Sequence, residues 1–253
     1  NSTVLNTIID SLAINNPNAA YGGISKKPIE VVRQEAIANF AAQNRAVTRE
    51  DYILRVMSMP SKYGSVAKVY IDQDTQVGRF YDERIPNPYS MNMHLIAYDK
   101  NKNFTKCNIA LFENVRQYLR NYRMMTDGLQ LKDLFIINIG IDIEIITQYN
   151  SNSNEVIMRV LNRCIELFNN DRMQPSTPII ISSITSELDK LEGVQSVNSI
   201  KFVNLFDTNL GYSGNVYDVD NAIRSGMLYP SLDPSIFEVK YPKSDIRVRI
   251  LDV

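Results

Sequence analysis

The sequence predicts an α+β fold: an N-terminal helical segment, a mixed-sheet α/β sandwich module and a β-containing C-terminal tail. Three patterns predict it. Apolar residues recur at helical spacing before about residue 60 and in two later stretches, Leu134 to Gln148 alternates with period two, and turn residues crowd the chain after Asp207. Residues 1–62, 63–206 and 207–253 are the corresponding divisions.

Pro28 suits the first turn of a helix, where its missing N–H costs nothing, and Ile29, Val32, Ala36 and Phe40 follow on one face. This helix is expected to end near Asn44. Thr48 with Asp51 makes a capping pattern, and Glu50 adds first-turn charge, so a second helix runs through Met57 until Pro60 stops it. Ser65 to Ile71 and Met91 to Tyr98 read as strands. Between them, Asp72 to Ser90 reads as a loop too long for a tight hairpin, carrying Phe80, Tyr81, Pro86, Pro88 and Tyr89.

Ile109, Phe112, Val115, Leu119 and Tyr122 mark the next helix, with Gly128 at its exit. In Leu134 to Gln148, Ile137, Ile139, Ile141, Ile143 and Ile145 share one face, while Asn138, Asp142 and Glu144 share the other. One face packs and the other is at least partly wet. Val156, Val160, Leu161, Cys164 and Phe168 make a helix, Ser186 to Leu191 a shorter one before the Glu192-Gly193-Val194 turn, and Val194 to Phe206 a strand. This order places helices on one face of a mixed sheet. The tail combines Asn209, Gly211, Ser213, Gly214 and Asn215 with Tyr212, Tyr217 and Tyr229, then two short strands, Ile236 to Tyr241 and Ile246 to Leu251. Tyrosines on irregular backbone suit an interface, and a tail packed on its own domain accounts for them equally well.

Composition narrows the function. With 253 residues, 44% of them hydrophobic, the chain can bury a core. Lys and Arg number 27 against 28 Asp and Glu, so no overall field gathers phosphate backbones or anionic lipid, and nucleic acid is not expected as a partner. No apolar stretch reaches the roughly 20 residues of a membrane span, and the polar opening Asn1-Ser2-Thr3 is not a signal peptide. Lacking an initial Met, the chain reads as a piece of something longer. Cys107 and Cys164 are too few for a disulfide framework or a zinc site and fit a reducing compartment, with Cys164 as a buried thiol on a helix.

Catalytic signatures fail one after another. His94 is the only histidine, which excludes any centre needing two imidazoles. Gly211-Tyr212-Ser213-Gly214 lacks the second glycine of a nucleophile elbow. Asp142 and Glu144 have the chemistry of a glycosidase pair, yet i, i+2 spacing is what the polar face of a strand yields anyway. Asp72 and Asp74 open like a calcium loop, but Gln76 and Val77 stand where an acidic ligand and glycine belong. Arg116, Arg120 and Arg123 form a basic helix edge read as a solvated or salt-bridged surface. No catalytic, cofactor or metal residue is therefore assigned, and neither enzyme activity nor a small-molecule substrate is expected.

Two N-terminal stretches carry a resemblance: Asn16-Pro17-Asn18-Ala19-Ala20-Tyr21-Gly22-Gly23, and Gln43-Asn44-Arg45-Ala46-Val47-Thr48-Arg49-Glu50-Asp51-Tyr52. Together they resemble the signature of the baseplate J-like family, wedge subunits of contractile injection machines. The similarity continues through Ser58-Met59-Pro60 into Val66 to Val69, and less distinctly to Leu188 to Val197 with Gly193, about four-fifths of the chain. It departs where Ser61-Lys62-Tyr63 separate Pro60 from the first strand and where the Asp72 to Ser90 segment is enlarged. Pro17, Gly22, Gly23, Asn44, Arg45, Thr48, Asp51, Tyr52 and Gly193 then take scaffold roles, with the Arg45 guanidinium bracing the junction before the capped helix.

The resemblance implies a structural subunit of a phage tail baseplate that pairs with itself as a homodimer. It would join other wedge and hub proteins into a ring that rearranges as the sheath contracts. Its place is the virion tail, after assembly in the host cytoplasm. Phe80, Tyr81, Tyr89, Tyr212, Tyr217 and Tyr229 are the candidate interface residues. A tail-associated cell-wall hydrolase and a receptor-binding module are the alternatives, the latter weakened by the lack of β-rich repeats.

Overall fold

The computed structural model describes residues 4, 7, 11, 28–41, 45–77, 84–149 and 151–251. Its elements are α1 (Ile29–Ala41), α2 (Arg49–Met57), β1 (Lys68–Val77), β2 (Arg84–Tyr98), β3 (Phe104–Thr105), α3 (Ile109–Leu119), β4 (Gly128–Asp133) and β5 (Phe135–Thr147). There follow α4 (Ser153–Leu167), β6 (Ile179–Ile180), α5 (Ile181–Asp189), β7 (Val194–Asn204), α6 (Val219–Ala222), β8 (Ile223–Arg224), β9 (Met227–Leu228), β10 (Ser235–Glu238), α7 (Pro242–Asp245) and β11 (Ile246–Ile250). The fold is α+β.

Among the described residues, two four-stranded sheets and a small three-stranded one replace the single sheet expected. In the first, β2 lies between antiparallel β1 and, on its other edge, parallel β4 and the short antiparallel β3. Helices α2 and α3 supply Tyr52, Val56, Leu111, Val115 and Leu119 to a core closed by Val69, Ile71, Met93 and Leu95 of the sheet. The chain then crosses at Leu134, whose amide still donates to Leu95 O while that of Phe135 donates to Pro234 O. In the second sheet β5 has β10 and β11 end to end on one edge, both parallel, and antiparallel β7 on the other. The C-terminal residues are thus built into this sheet.

Strand β5 forms because five isoleucines on one face fit a pleated surface, and all five are buried against Val156, Val160 and Cys164 of α4 and Ile184 and Leu188 of α5. The two sheets meet over Ala67, Ile96, Tyr98 and Phe104 on one side and Leu134, Ile136 and Ile236 on the other. Burial of these groups gives the usual 25 cal/mol per Å² or so of apolar surface, and it is this shared cluster that holds the sheets together.

Several expectations need correction. Asp72 to Ser90 is no open loop: β1 continues to Val77 and β2 starts at Arg84, pairing Val77 with Arg84 and Thr75 with Pro86 after an irregularity beyond Gln73. Pro86 and Pro88 suggested loop; Pro88 falls in the irregularity between the Thr75–Pro86 and Gln73–Met91 pairs, a position where a strand tolerates proline, and β4 begins pairing with β2 only at Ser90. Gly128 opens β4 instead of closing a helix; a Cβ there would sit 3.2 Å from Tyr89 O. The short helix begins at Ile181, five residues before the predicted start. On α1 the predicted apolar face, Ile29, Val32, Ala36 and Phe40, is exposed among the described residues, Phe40 by 88%, and Ile37 beside it is exposed too.

Candidate functional site

The family-like motif serves the first core. Thr48 Oγ1 accepts the Asp51 N–H at 3.2 Å, and Asp51 Oδ2 accepts the Thr48 N–H at 2.9 Å, a reciprocal cap that opens α2. That backbone bond from Thr48 chiefly holds the Asp51 carboxyl below its ordinary range. Ala46, fully buried, bridges to Arg123, its amide donating to Tyr122 O at 2.9 Å. Tyr52, also fully buried, donates its hydroxyl to Asp127 at 2.7 Å and accepts the Met124 amide at 3.3 Å. Burial and then the Asp127 bond push the Tyr52 hydroxyl far above its usual pKa. Arg55 lies over the Tyr122 ring, 4.7 Å from its centroid. Arg45 itself is exposed. Pro17, Gly22, Gly23 and Asn44 lie outside the described residues.

Gly193 makes the turn from α5 to β7 at φ +91, where a Cβ would lie 2.6 Å from Val156 Cγ2. Only glycine fits this position without displacement.

The predicted interface tyrosines divide into two groups. Tyr89 is 68% exposed on β2, and Tyr229 is also exposed. Tyr212 instead donates to Asp245 Oδ1 at 2.7 Å and packs edge-on against Tyr241, and burial first, then the Asp245 bond, raise it to about 12. Tyr217 donates to Tyr229 O and packs against Phe237. Both rings therefore hold the C-terminal segment onto its own sheet. Phe80 and Tyr81 lie outside the described residues.

The carboxylates of β5 form a charge ladder. Asp142 lies in register between Arg247 of β11 and Lys201 of β7, and Glu144 between Arg249 and Ser199. Glu144 accepts bonds from Ser199 Oγ at 2.7 Å and Asn198 Nδ2 at 3.2 Å, which keep it below the ordinary carboxylate range. A glycosidase acid needs the opposite shift. His94 is buried, with Nδ1 3.3 Å from Asp133 O and Nε2 3.3 Å from Asp72 Oδ1, a structural placement. Cys107 and Cys164 are buried free thiols, each pushed by burial to about 12. Arg116 pairs with Glu113 on its own helix.

One buried group escaped sequence reasoning. Glu238, 1% exposed, accepts the Phe104 N–H at 2.5 Å, Asn138 Nδ2 at 2.7 Å and Asn170 Nδ2 at 3.3 Å, and burial raises its carboxyl above the ordinary range. Asn138, expected on a wet face, is buried and also accepts the Ser213 N–H at 2.6 Å. Its polar position in the alternation was visible; the segments that cover it were not. Among the described residues no cluster of three or more His, Cys, Asp or Glu is arranged to hold a metal, and no helix is long and apolar enough to cross a membrane.

No family model matches the chain, and no curated protein matches it. Among solved structures, a chain of the anti-feeding prophage baseplate, a six-fold symmetrised cryo-EM structure, is similar at 12% identity and a TM-score of 0.47. The match covers 89% of this chain and 42% of that one. This chain spans about two fifths of that chain's length.

Proposed function

We propose that the chain is a non-catalytic structural subunit of a contractile-tail baseplate wedge. It pairs with a second copy and joins neighbouring wedges into a ring around the hub, and contacts exchange when the sheath contracts. In wording it resembles the larger wedge protein of T-even phages, of which it would form the C-terminal part. The observation that carries this reading is the N-terminal motif together with its use: Thr48, Asp51 and Tyr52 all serve the packing of α2 on the first sheet. Apolar groups left at the surface, Ile37 and Phe40 on α1 and Tyr89 on β2, supply contact area of the kind that an assembled ring buries. The rival hydrolase reading is weakened by Glu144, whose partners hold it ionised, and by Asp142, which sits between two cations.

Size-exclusion chromatography with light scattering tests the self-association. A dimer is expected for the unaltered chain, and Ile37→Ser, Phe40→Ser and Tyr89→Ala together should lower its mass while leaving the circular dichroism unchanged. A chain that stays monomeric at its highest soluble concentration would remove the pairing. Clearing of purified cell wall by the chain would remove the non-catalytic reading.

A further inference from the structure

A groove of about 530 Å³ lies where the two sheets meet, inside the range of roughly 300–1,000 Å³ typical of binding clefts. Its sides are the turn at Asn101 to Asn103, the end of α4 with Asn169 to Asp171, and the segment from Val239 to Lys243. Its base is apolar: Phe168 and Val239 are buried, Ile165 is half-buried, and the Tyr241 ring stands exposed beside Pro242, braced edge-on by Tyr212 at 5.6 Å.

Lysines outnumber carboxylates at the rim. Lys102, Lys240 and Lys243 line the groove against a single carboxylate, Asp171. That carboxylate already accepts the Tyr98 hydroxyl at 3.1 Å, and Lys68 lies beside it, donating to Asp171 O at 2.7 Å. Lys240 donates to Gly211 O, a neutral carbonyl, and also lies within electrostatic reach of the buried Glu238 carboxyl. The last turn of α4 carries no basic residue, and its carbonyls amount to roughly half a negative charge. Against it, Lys240 and Lys243 set positive charge on the opposite side.

We propose that this groove docks a short acidic segment of a partner protein, one or two large apolar side chains entering the groove with Asp or Glu residues on either side meeting the lysines. An apolar base excludes water around the anchor, and rim charges choose the partner and speed its arrival. A basic or purely polar segment is selected against, since it would set like charges together or leave the apolar base unfilled. The groove's chemistry is independent of the assembly the chain serves. Loss of peptide binding would leave the scaffold role standing, and a monomeric chain would leave the groove standing.

Fluorescence anisotropy tests this on the whole chain with three fluorescein-labelled peptides: Gly-Glu-Leu-Asp-Phe-Glu-Glu, the same peptide with every acid replaced by Lys, and the same peptide with Leu and Phe replaced by Gly. Saturable binding is expected for the first alone, weakening as salt is raised. Lys240→Glu with Lys243→Glu should weaken it by about tenfold or more, as loss of a complementary rim does. No saturable binding, equal binding of the three peptides, or unchanged affinity in the folded double variant would each overturn the proposal. The peptide and salt comparisons need no variant, so they decide the matter even if charge reversal disturbs the fold.

Discussion

The buried Glu238 carboxylate accepts the Phe104 amide across 134 residues of sequence, tying β10 of the second sheet to β3 of the first. Asn138 and Asn170 donate to the same carboxylate, so three segments converge on one anion with donors and no cation among those three bonds. Glu238→Ala would strand three donors at about 1–3 kcal/mol each, and a loss of about 3 kcal/mol or more is expected in urea unfolding. Glu238→Gln keeps an acceptor for Phe104 and should lose about half as much. Burial holds the folded carboxyl above its ordinary 4.5, so the stability due to its proton is fully present below that value and is lost as pH rises through the raised one. The gap between the wild-type chain and the Gln variant should therefore narrow with rising pH. A gap constant with pH would show that Glu238 does not titrate differently on folding.

Tyr52 and Asp127 make a second long-range bond, 75 residues apart, that fastens α2 to the segment leading into β4. Removing the hydroxyl with Tyr52→Phe strands Asp127 and the Met124 amide, an expected loss of about 1.5–3 kcal/mol for a bond to a charged group. Asp127→Asn leaves an acceptor in place and should cost less. Equal stability of the Phe variant and the wild type would mean water replaces the bond.

Local signals were legible where periodicity and caps act over a few residues. The Thr48–Asp51 cap, the isoleucine face of β5 and the apolar stripe of α4 all follow from spacing alone. The pieces that escaped are those set by distant partners. Strand β4 is only six residues long and half-exposed, and β2 specifies it through parallel pairing. Glu238 has nothing near it in sequence to mark it as buried; its surroundings come from β3, β5 and the loop after α4. For Tyr212 and Tyr217 spacing left an interface and packing on their own domain equally open, because the residues they meet, Asp245, Tyr241 and Phe237, lie 20 or more positions further on.

The capping box separates two effects that a single substitution usually mixes. Thr48→Ala removes the side-chain acceptor and should cost about 1 kcal/mol. It keeps the Thr48 N–H, the main cause of Asp51's lowered pKa, so the acid midpoint of Asp51 followed by carboxyl NMR should stay below the ordinary 3.8. With a lowered folded value, the stability from Asp51 is present above 3.8 and is lost as pH falls through the lower one. Asp51→Ala should abolish that loss. A midpoint in Thr48→Ala that returns to the ordinary value would instead assign the shift to the hydroxyl.

Gly193 offers the sharpest test of how the family-like motif works as scaffold. Its carbonyl accepts the Gln148 amide at 3.0 Å, so the turn between α5 and β7 is pinned to the end of β5 and cannot swing away. Gly193→Ala then meets two penalties at once. At φ +91 an L side chain is strained by about 1–2 kcal/mol, and a Cβ 2.6 Å from Val156 Cγ2 overpacks the buried face of α4 by about 1–3 kcal/mol. A loss of about 2–5 kcal/mol is expected in urea or thermal unfolding. The two contributions come apart in a double-mutant cycle, because Val156→Ala relieves the clash and leaves the backbone strain untouched. Gly193→Ala should thus cost less in the Val156→Ala background than in the wild-type chain, with a remainder of about 1–2 kcal/mol that persists. If the cost is the same in both backgrounds, the steric contact with α4 is irrelevant and the position needs glycine for its backbone alone.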